Sequence, residues 1–234
     1  MAEIDVLRAG VLAALAGGRS GSGVDMVGQV CRTCLRVLPV DGAAVSVMAG
    51  AGHREAVYSS DAVSTALAEL QFALGEGPCF EAYTHGGPVL VADLRAGLQP
   101  AWPVFAVQAA EYPVAALFTF PLQIGVVRVA TLDTYRATPG SLSADELATA
   151  LQVADVAALA LSGLLDGDGR WMAGAGMRHR EVHQATGMLI GHLDLPAAEA
   201  LARLRAYAFG HGRALRDVAA DLVAGRLELD LEAW

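Results

Sequence analysis

Val27, Val30, Cys31, Cys34, Leu35 and Leu38 recur at i, i+3, i+4, i+7 spacing, which predicts a helix over 24–38 that stops near Pro39. A shorter helix is predicted over Ile4–Leu15, with Gly17–Gly23 as a flexible joint between the two. The pattern then turns to strands. Ala43–Met48 and Glu55–Tyr58 flank Ala49-Gly-Ala-Gly52 as a hairpin, Pro88–Val91 follows Gly86-Gly87, and two apolar runs, 115–122 and 126–132, flank Gly125. Helical stretches over 63–72, 79–83 and 102–110 are interleaved with them, and Gly75-Glu76-Gly77-Pro78 reads as a turn. The resulting order is helix, two strands, helix, strand, helix, two strands, the signature of an α+β domain built on an antiparallel sheet.

A long helix is predicted over Ser143–Leu165, with Ser143 and Glu146 spaced as a capping box. Its apolar positions Leu147, Leu151, Ala154, Ala158, Leu161 and Leu165 alternate by four and three, the rhythm of a coiled coil. Two readings stand: burial on the chain's own sheet, or pairing with the same helix in a homodimer. Asp166-Gly-Asp-Gly169 breaks the pattern, and 166–174 reads as a linker. Three amphipathic helices are predicted beyond it, over 175–192, 196–209 and 215–226, each short enough to need a partner for its apolar face.

Composition sharpens the division. The chain has 234 residues, 54% hydrophobic, with a net charge of −9. That much apolar side chain can fill a core, and so much negative charge argues against nucleic acid binding over the whole surface. The charge is uneven: residues 1–170 hold 9 Arg against 17 acids, whereas 171–227 hold 7 Arg against 5 acids and four of the six His. A shift of this size between the halves is a hint of a partner. All 16 basic residues are Arg, which removes phosphate-loop and Schiff-base lysines. There is no G-x-S-x-G, no H-E-x-x-H and no phosphate-binding loop, so an enzyme is not expected.

The start lacks a basic leader, and the most apolar stretch, Tyr112–Val127, is too short to span a bilayer; a cytoplasmic protein without a membrane segment is expected. Cys31 and Cys34 form a C-x-x-C, but both fall on the apolar helix face and no second pair exists to complete a zinc site. His179 and His183 stand at i, i+4, a metal-compatible spacing without an evident third ligand, and no metal or cofactor is expected.

Val182-His-Gln-Ala-Thr-Gly-Met-Leu189, Glu199-Ala-Leu-Ala-Arg-Leu-Arg-Ala206 and Gly212-Arg-Ala-Leu-Arg-Asp-Val-Ala219 occur in order and at suitable spacing. Together they resemble the ANTAR domain, an RNA-binding antitermination module. Upstream, Gly75-Glu-Gly-Pro-Cys-Phe80, Pro88–Leu94, Trp102-Pro-Val-Phe105, Phe120-Pro-Leu122 and Leu132-Asp-Thr-Tyr-Arg136 resemble a GAF domain of the kind joined to ANTAR. The resemblance implies an N-terminal helix and joint over 1–19 and a PAS-like antiparallel sheet with flanking helices over 20–165. It further implies an all-α three-helix module over 175–229. Many relatives carry Lys where Thr186 stands, and a capping Ser where Pro196 stands.

The function implied is a regulator that binds paired RNA stem-loops in nascent transcripts and prevents termination, under control of a sensing or dimerising domain. RNA needs cations for phosphates and flat groups for bases. Candidate RNA contacts are therefore Arg180, His183, Gln184, Thr186 and Gly187 on the first helix of the module. Arg203, Arg205 and Tyr207 on the second, and Arg213 and Arg216 at the start of the third, complete the set. Cys79, Phe80, Trp102, Phe105, Phe118 and Phe120 are candidates to line a pocket for a small molecule or to meet a partner protein. A helix-turn-helix regulator of DNA, with Gly210-His-Gly212 as its turn, and an interaction protein without RNA binding are the competing readings.

Overall fold

A computed structural model of the chain describes residues 2–16, 23–48, 54–97, 99–165 and 178–228. Most of the expected joint at 17–23, the hairpin turn at 49–52, the linker at 166–174, residues 175–177 and the last acids Asp230 and Glu232 lie outside the described residues. Five strands, β1 (Gly42–Met48), β2 (Arg54–Ser59), β3 (Val89–Val91), β4 (Ala116–Ile124) and β5 (Val127–Arg136), form one sheet in the order β2-β1-β5-β4-β3. Every neighbouring pair is antiparallel.

Helices α2 (Gly23–Val37) and α6 (Ala144–Leu165) pack on one face of the sheet, and α1 (Ala2–Ala16) packs against those two helices. Helices α3 (Ala62–Leu74), α4 (Pro78–His85) and α5 (Pro103–Ala109) pack on the other. Strand alternation sorts the side chains: Phe118, Phe120 and Leu132 go under α2 and α6, whereas Leu117, Thr119, Asp133 and Tyr135 face α3 and α5. Cys31 and Cys34 are free thiols wholly within the first layer, where burial pushes both above their ordinary range, Cys34 to about 12.

Three helices follow: α7 (Arg180–Leu193), α8 (Ala197–Gly210) and α9 (Leu215–Val223). They enclose a small core of Val182, Leu189, Leu201, Leu204, Val218 and Leu222. One member of that core comes from the first domain: Phe72, in the last turn of α3.

Two expectations are modified. Strand β5 runs on to Arg136, past the expected end at Leu132, because the polar residues beyond it have partners: Thr134 donates to the Phe118 carbonyl, and Asp133 accepts from Arg54 and Thr119. The stripe on α6 is largely spent inside the chain. Its capping box forms between Ser143 and Glu146, and Ala154, Ala158 and Leu161 are buried against α1, α2 and β4. Leu147 is half-buried and only Leu151 stands open, at 42% exposure; the side chain of Leu165 lies outside those described. A continuous dimer seam along these six positions is thereby corrected, since small Ala side chains let the neighbouring layers close over the helix.

Arg54 is the one fully buried cation of the sheet layer among the described residues. Its Nη2 meets Asp133 Oδ2 at 2.6 Å, and its Nη1 donates to the Ala68 carbonyl of α3 at 2.7 Å. Removing one partner of such a pair leaves a charge without water. Asp133→Ala should therefore cost about 3–5 kcal/mol, read as a lower urea midpoint at unchanged slope. The double change Arg54→Met, Asp133→Leu should recover most of that loss.

Candidate functional site

The contact between the two halves is built on the C-terminal turn of α3. Helix ends leave carbonyls without partners. Gly75, in the left-handed region at φ 70°, caps the helix by donating to Gln71 O. The Phe72 carbonyl is taken instead by the other domain: Arg205 of α8 donates to it from Nε at 3.1 Å and from Nη2 at 2.8 Å. The same guanidinium lies 5.7 Å from the centre of the Phe72 ring. A Cβ on residue 75 would come within 2.7 Å of Arg205 Nη1, so glycine is needed there for clearance as well as for its φ.

The rest of the Gly75-Glu76-Gly77-Pro78 turn is a set of helix caps. Glu76 Oε1 accepts from Phe105 N in the first turn of α5, which has no side-chain cap of its own. Gln71 Oε1 accepts from Cys79 N at the start of α4, and Pro78 occupies the first helical turn.

A second set of contacts lies on the other side of Phe72. His179, the N-cap of α7, stacks on the Phe72 ring with centroids 3.6 Å apart. Its Nδ1 is 2.9 Å from Glu55 Oε2 and its Nε2 is 2.8 Å from Glu69 Oε2. His183, one turn on, meets Glu55 Oε1 at 2.6 Å. An imidazole with a carboxylate at each nitrogen has to donate twice, so His179 is an imidazolium. Burial alone would lower its pKa, but its hydrogen bonds to Glu55 and Glu69 outweigh that and raise it to about 9. For Glu55 and Glu69, burial alone would raise the pKa; hydrogen bonding to the histidines outweighs it and holds both below the usual carboxylate range. Each imidazole is committed to a carboxylate, and among the described residues no group of His, Cys, Asp or Glu is arranged to hold a metal ion.

The candidate RNA contacts separate into two groups. Arg180, Gln184 and Gly187 lie exposed on α7, and Arg216 is exposed near the start of α9, whose N-cap Ala214 offers no side-chain hydrogen bond. Arg203 pairs with Glu199 one turn before it, and Arg213 pairs with Asp221. Tyr207 stacks on His211 with centroids 3.9 Å apart, a flat surface at the end of α8 that sequence reasoning assigned only in part.

The second group is buried or engaged with the first domain. Thr186 is buried and donates to the Val182 carbonyl, which corrects its placement on the binding face. Arg205 and His183 are spent on the first domain, as just described. Leu201 and Leu204 fill the module's core, and Arg205, next to Leu204 on the same helix, faces the neighbouring domain rather than water.

The pocket prediction is corrected more strongly. A cavity of about 20 Å³ lies between the sheet and α3, lined by Arg54, Ser64, Gln71, Phe105, Thr119 and Asp133 among others. Of the expected residues only Phe105 lines it. Phe118 and Phe120 alternate to the opposite face of the sheet, and Trp102 is core, its indole N–H donating to Glu81. Phe80 is half-buried; Cys79 is wholly buried, and burial pushes its thiol well up, despite the nearby Arg54. No helix among the described residues is long and apolar enough to cross a membrane.

Comparison with known proteins agrees with this division. Residues 24–162 match the family model of the GAF domain, and residues 175–223 match that of the ANTAR domain. Similar solved structures include the GAF domain from a phosphoenolpyruvate-protein phosphotransferase of Coxiella burnetii, with a TM-score of 0.52 at 14% identity, covering 68% of this chain and 92% of that one. Free methionine-R-sulfoxide reductase from Neisseria meningitidis gives a TM-score of 0.52 at 12% identity, covering 68% and 86%. The GAF domain region of a membrane protein from Geobacter sulfurreducens gives 0.51 at 13%, covering 63% and 97%. At these identities the likeness is one of fold. No curated protein matches the chain.

The ionic contact carries a pH signature. His179 titrates near 9 in place of 6.5, so its contribution is complete below pH 6.5 and is lost as pH climbs through 9. Glu55 and Glu69 are shifted down from 4.5, so theirs is complete above pH 4.5 and is lost as pH falls through their lowered values. Melting temperatures of the wild type and of His179→Gln should therefore differ most between pH 4.5 and 6.5 and converge above 9.

Proposed function

Because the chain belongs to the proteins that join a GAF sensor domain to an ANTAR domain, a family of RNA-binding antitermination regulators, we propose that it binds hairpin RNA and prevents transcription termination. The observation that carries this reading is the C-terminal module itself: three short helices around one core, in the segment where positive charge exceeds negative. Arg180, Gln184 and Gly187 on α7, Arg203 and Tyr207 on α8, and Arg213 and Arg216 at the start of α9 are the proposed contacts. Arginine pairs with phosphate and stacks on bases, and the stacked Tyr207–His211 rings offer a further platform. The charge surplus is small, so two modules acting together on paired stem-loops, as in a homodimer, would supply the avidity. The GAF domain would act as the sensor, through a small molecule or a partner protein. The protein would work in the cytoplasm as a regulator rather than an enzyme, since both domains are regulatory ones.

The test is binding of the full chain to a tandem-hairpin RNA over a salt series, with a DNA duplex of equal length as competitor. RNA should be preferred, and Arg216→Ala should weaken binding and reduce the log–log salt slope by about 1. Equal preference for the DNA duplex, or no RNA binding at low salt, would overturn the reading. Sedimentation of the free protein checks the homodimer.

A further inference from the structure

We propose that the docking of the ANTAR module on α3 of the GAF domain is an autoinhibitory contact, in which Glu55, Glu69 and the Phe72 carbonyl occupy the groups that RNA would otherwise engage. This rests on the RNA-binding reading above and adds its regulation. Two of the side chains that the sequence offers to RNA, His183 and Arg205, are held by the GAF domain. Their partners have the chemistry of an RNA backbone. Glu55 and Glu69 bring two carboxylates to His179 and His183, and the Phe72 carbonyl receives a forked pair of N–H donors from Arg205. Phe72 itself sits as a base would, with the His179 ring stacked on it and the Arg205 guanidinium over it. A phosphate approaching this face of the docked module would meet those two carboxylates at close range, where repulsion is strong. Docked and RNA-bound forms thus compete for the same atoms.

The contact is also of a kind that can open. Among the described residues Phe72 is the GAF side chain fully buried in the ANTAR core, with Ala73 partly buried beside it, and grooves lie on either side. One, of about 560 Å³, runs between Glu69, His179 and Arg216; the other, of about 360 Å³, runs between Gly75, Val104 and Phe209. Water therefore reaches both flanks of the dock. Arg205 gives up hydration to sit there, and burial lowers its pKa to about 10, so docking carries a desolvation cost.

The experiment compares RNA affinity in full-length variants altered only on the GAF side: Phe72→Ala, and separately the pair Glu55→Gln, Glu69→Gln. Glu111→Gln, exposed and away from the dock, controls for lost negative charge. Both dock variants should bind the tandem-hairpin RNA more tightly than wild type, by about fivefold or more, with the control unchanged. By reciprocity, RNA added to wild type should speed amide hydrogen exchange at Gly75, the C-cap of α3. Should Phe72→Ala fail to fold, as judged by its melting transition, the glutamine pair carries the test alone. Affinity equal to or below wild type, in variants whose exchange shows the dock released, would overturn the autoinhibitory contact while leaving RNA binding standing. Absence of RNA binding in wild type and released variants alike would overturn both.

Discussion

A guanidinium buried without water has to be given acceptors by the chain itself. Arg54 is that group, and much of the molecule is arranged around its needs. Asp133 answers it from β5 and the Ala68 carbonyl from α3, so one side chain fastens the edge strand β2 to the middle of the sheet and to the helix above it. Thr119 and Thr131 steady the carboxylate. With α3 fixed at Ala68, its last turn projects Phe72 beyond the GAF core, where the ANTAR helices close on it. The neighbour of Arg54 on the strand, Glu55, reaches the histidines of α7. The internal ion pair and the external one are consecutive residues of a single strand.

The sequence made the elements legible where one principle dominates. Helical spacing placed Cys31 and Cys34 in the core, the Ser143–Glu146 pair marked the start of α6, and the two apolar runs around Gly125 became β4 and β5. It was less informative where two faces compete for the same residues. Phe118 and Phe120 read as pocket residues by being aromatic, but the period of two in β4 sends them under α6 and gives the cavity Leu117 and Thr119. Asp133 falls just past the apolar run 126–132, and its place in the strand is explained only by its partner, 79 positions away.

The candidate site shows the same limit more sharply. Arg203 and Arg205 look alike in the chain, two residues apart on an amphipathic helix. One pairs with Glu199 at the surface, and the other ends a helix in the neighbouring domain. Periodicity tells which side of a helix is apolar; it does not tell what stands beyond the polar side. Gly75 carried the only local signal of the dock, as a glycine whose left-handed turn leaves room for an incoming guanidinium.

The small size of the cavity under α3 has a mechanical corollary. At about 20 Å³ it admits one water molecule and nothing larger. Any organic guest must first lift a wall, and the sheet behind it is locked by continuous strand pairing. The facing wall is mostly α3, with Pro78 and Phe105 beside it; α3 presents Ser64, Leu67, Ala68 and Gln71 to the cavity and Phe72 to the ANTAR core. A guest that pushed α3 outward would therefore carry the Phe72 end of the helix with it, a lever whose short arm is the guest and whose far end is the grip on Arg205.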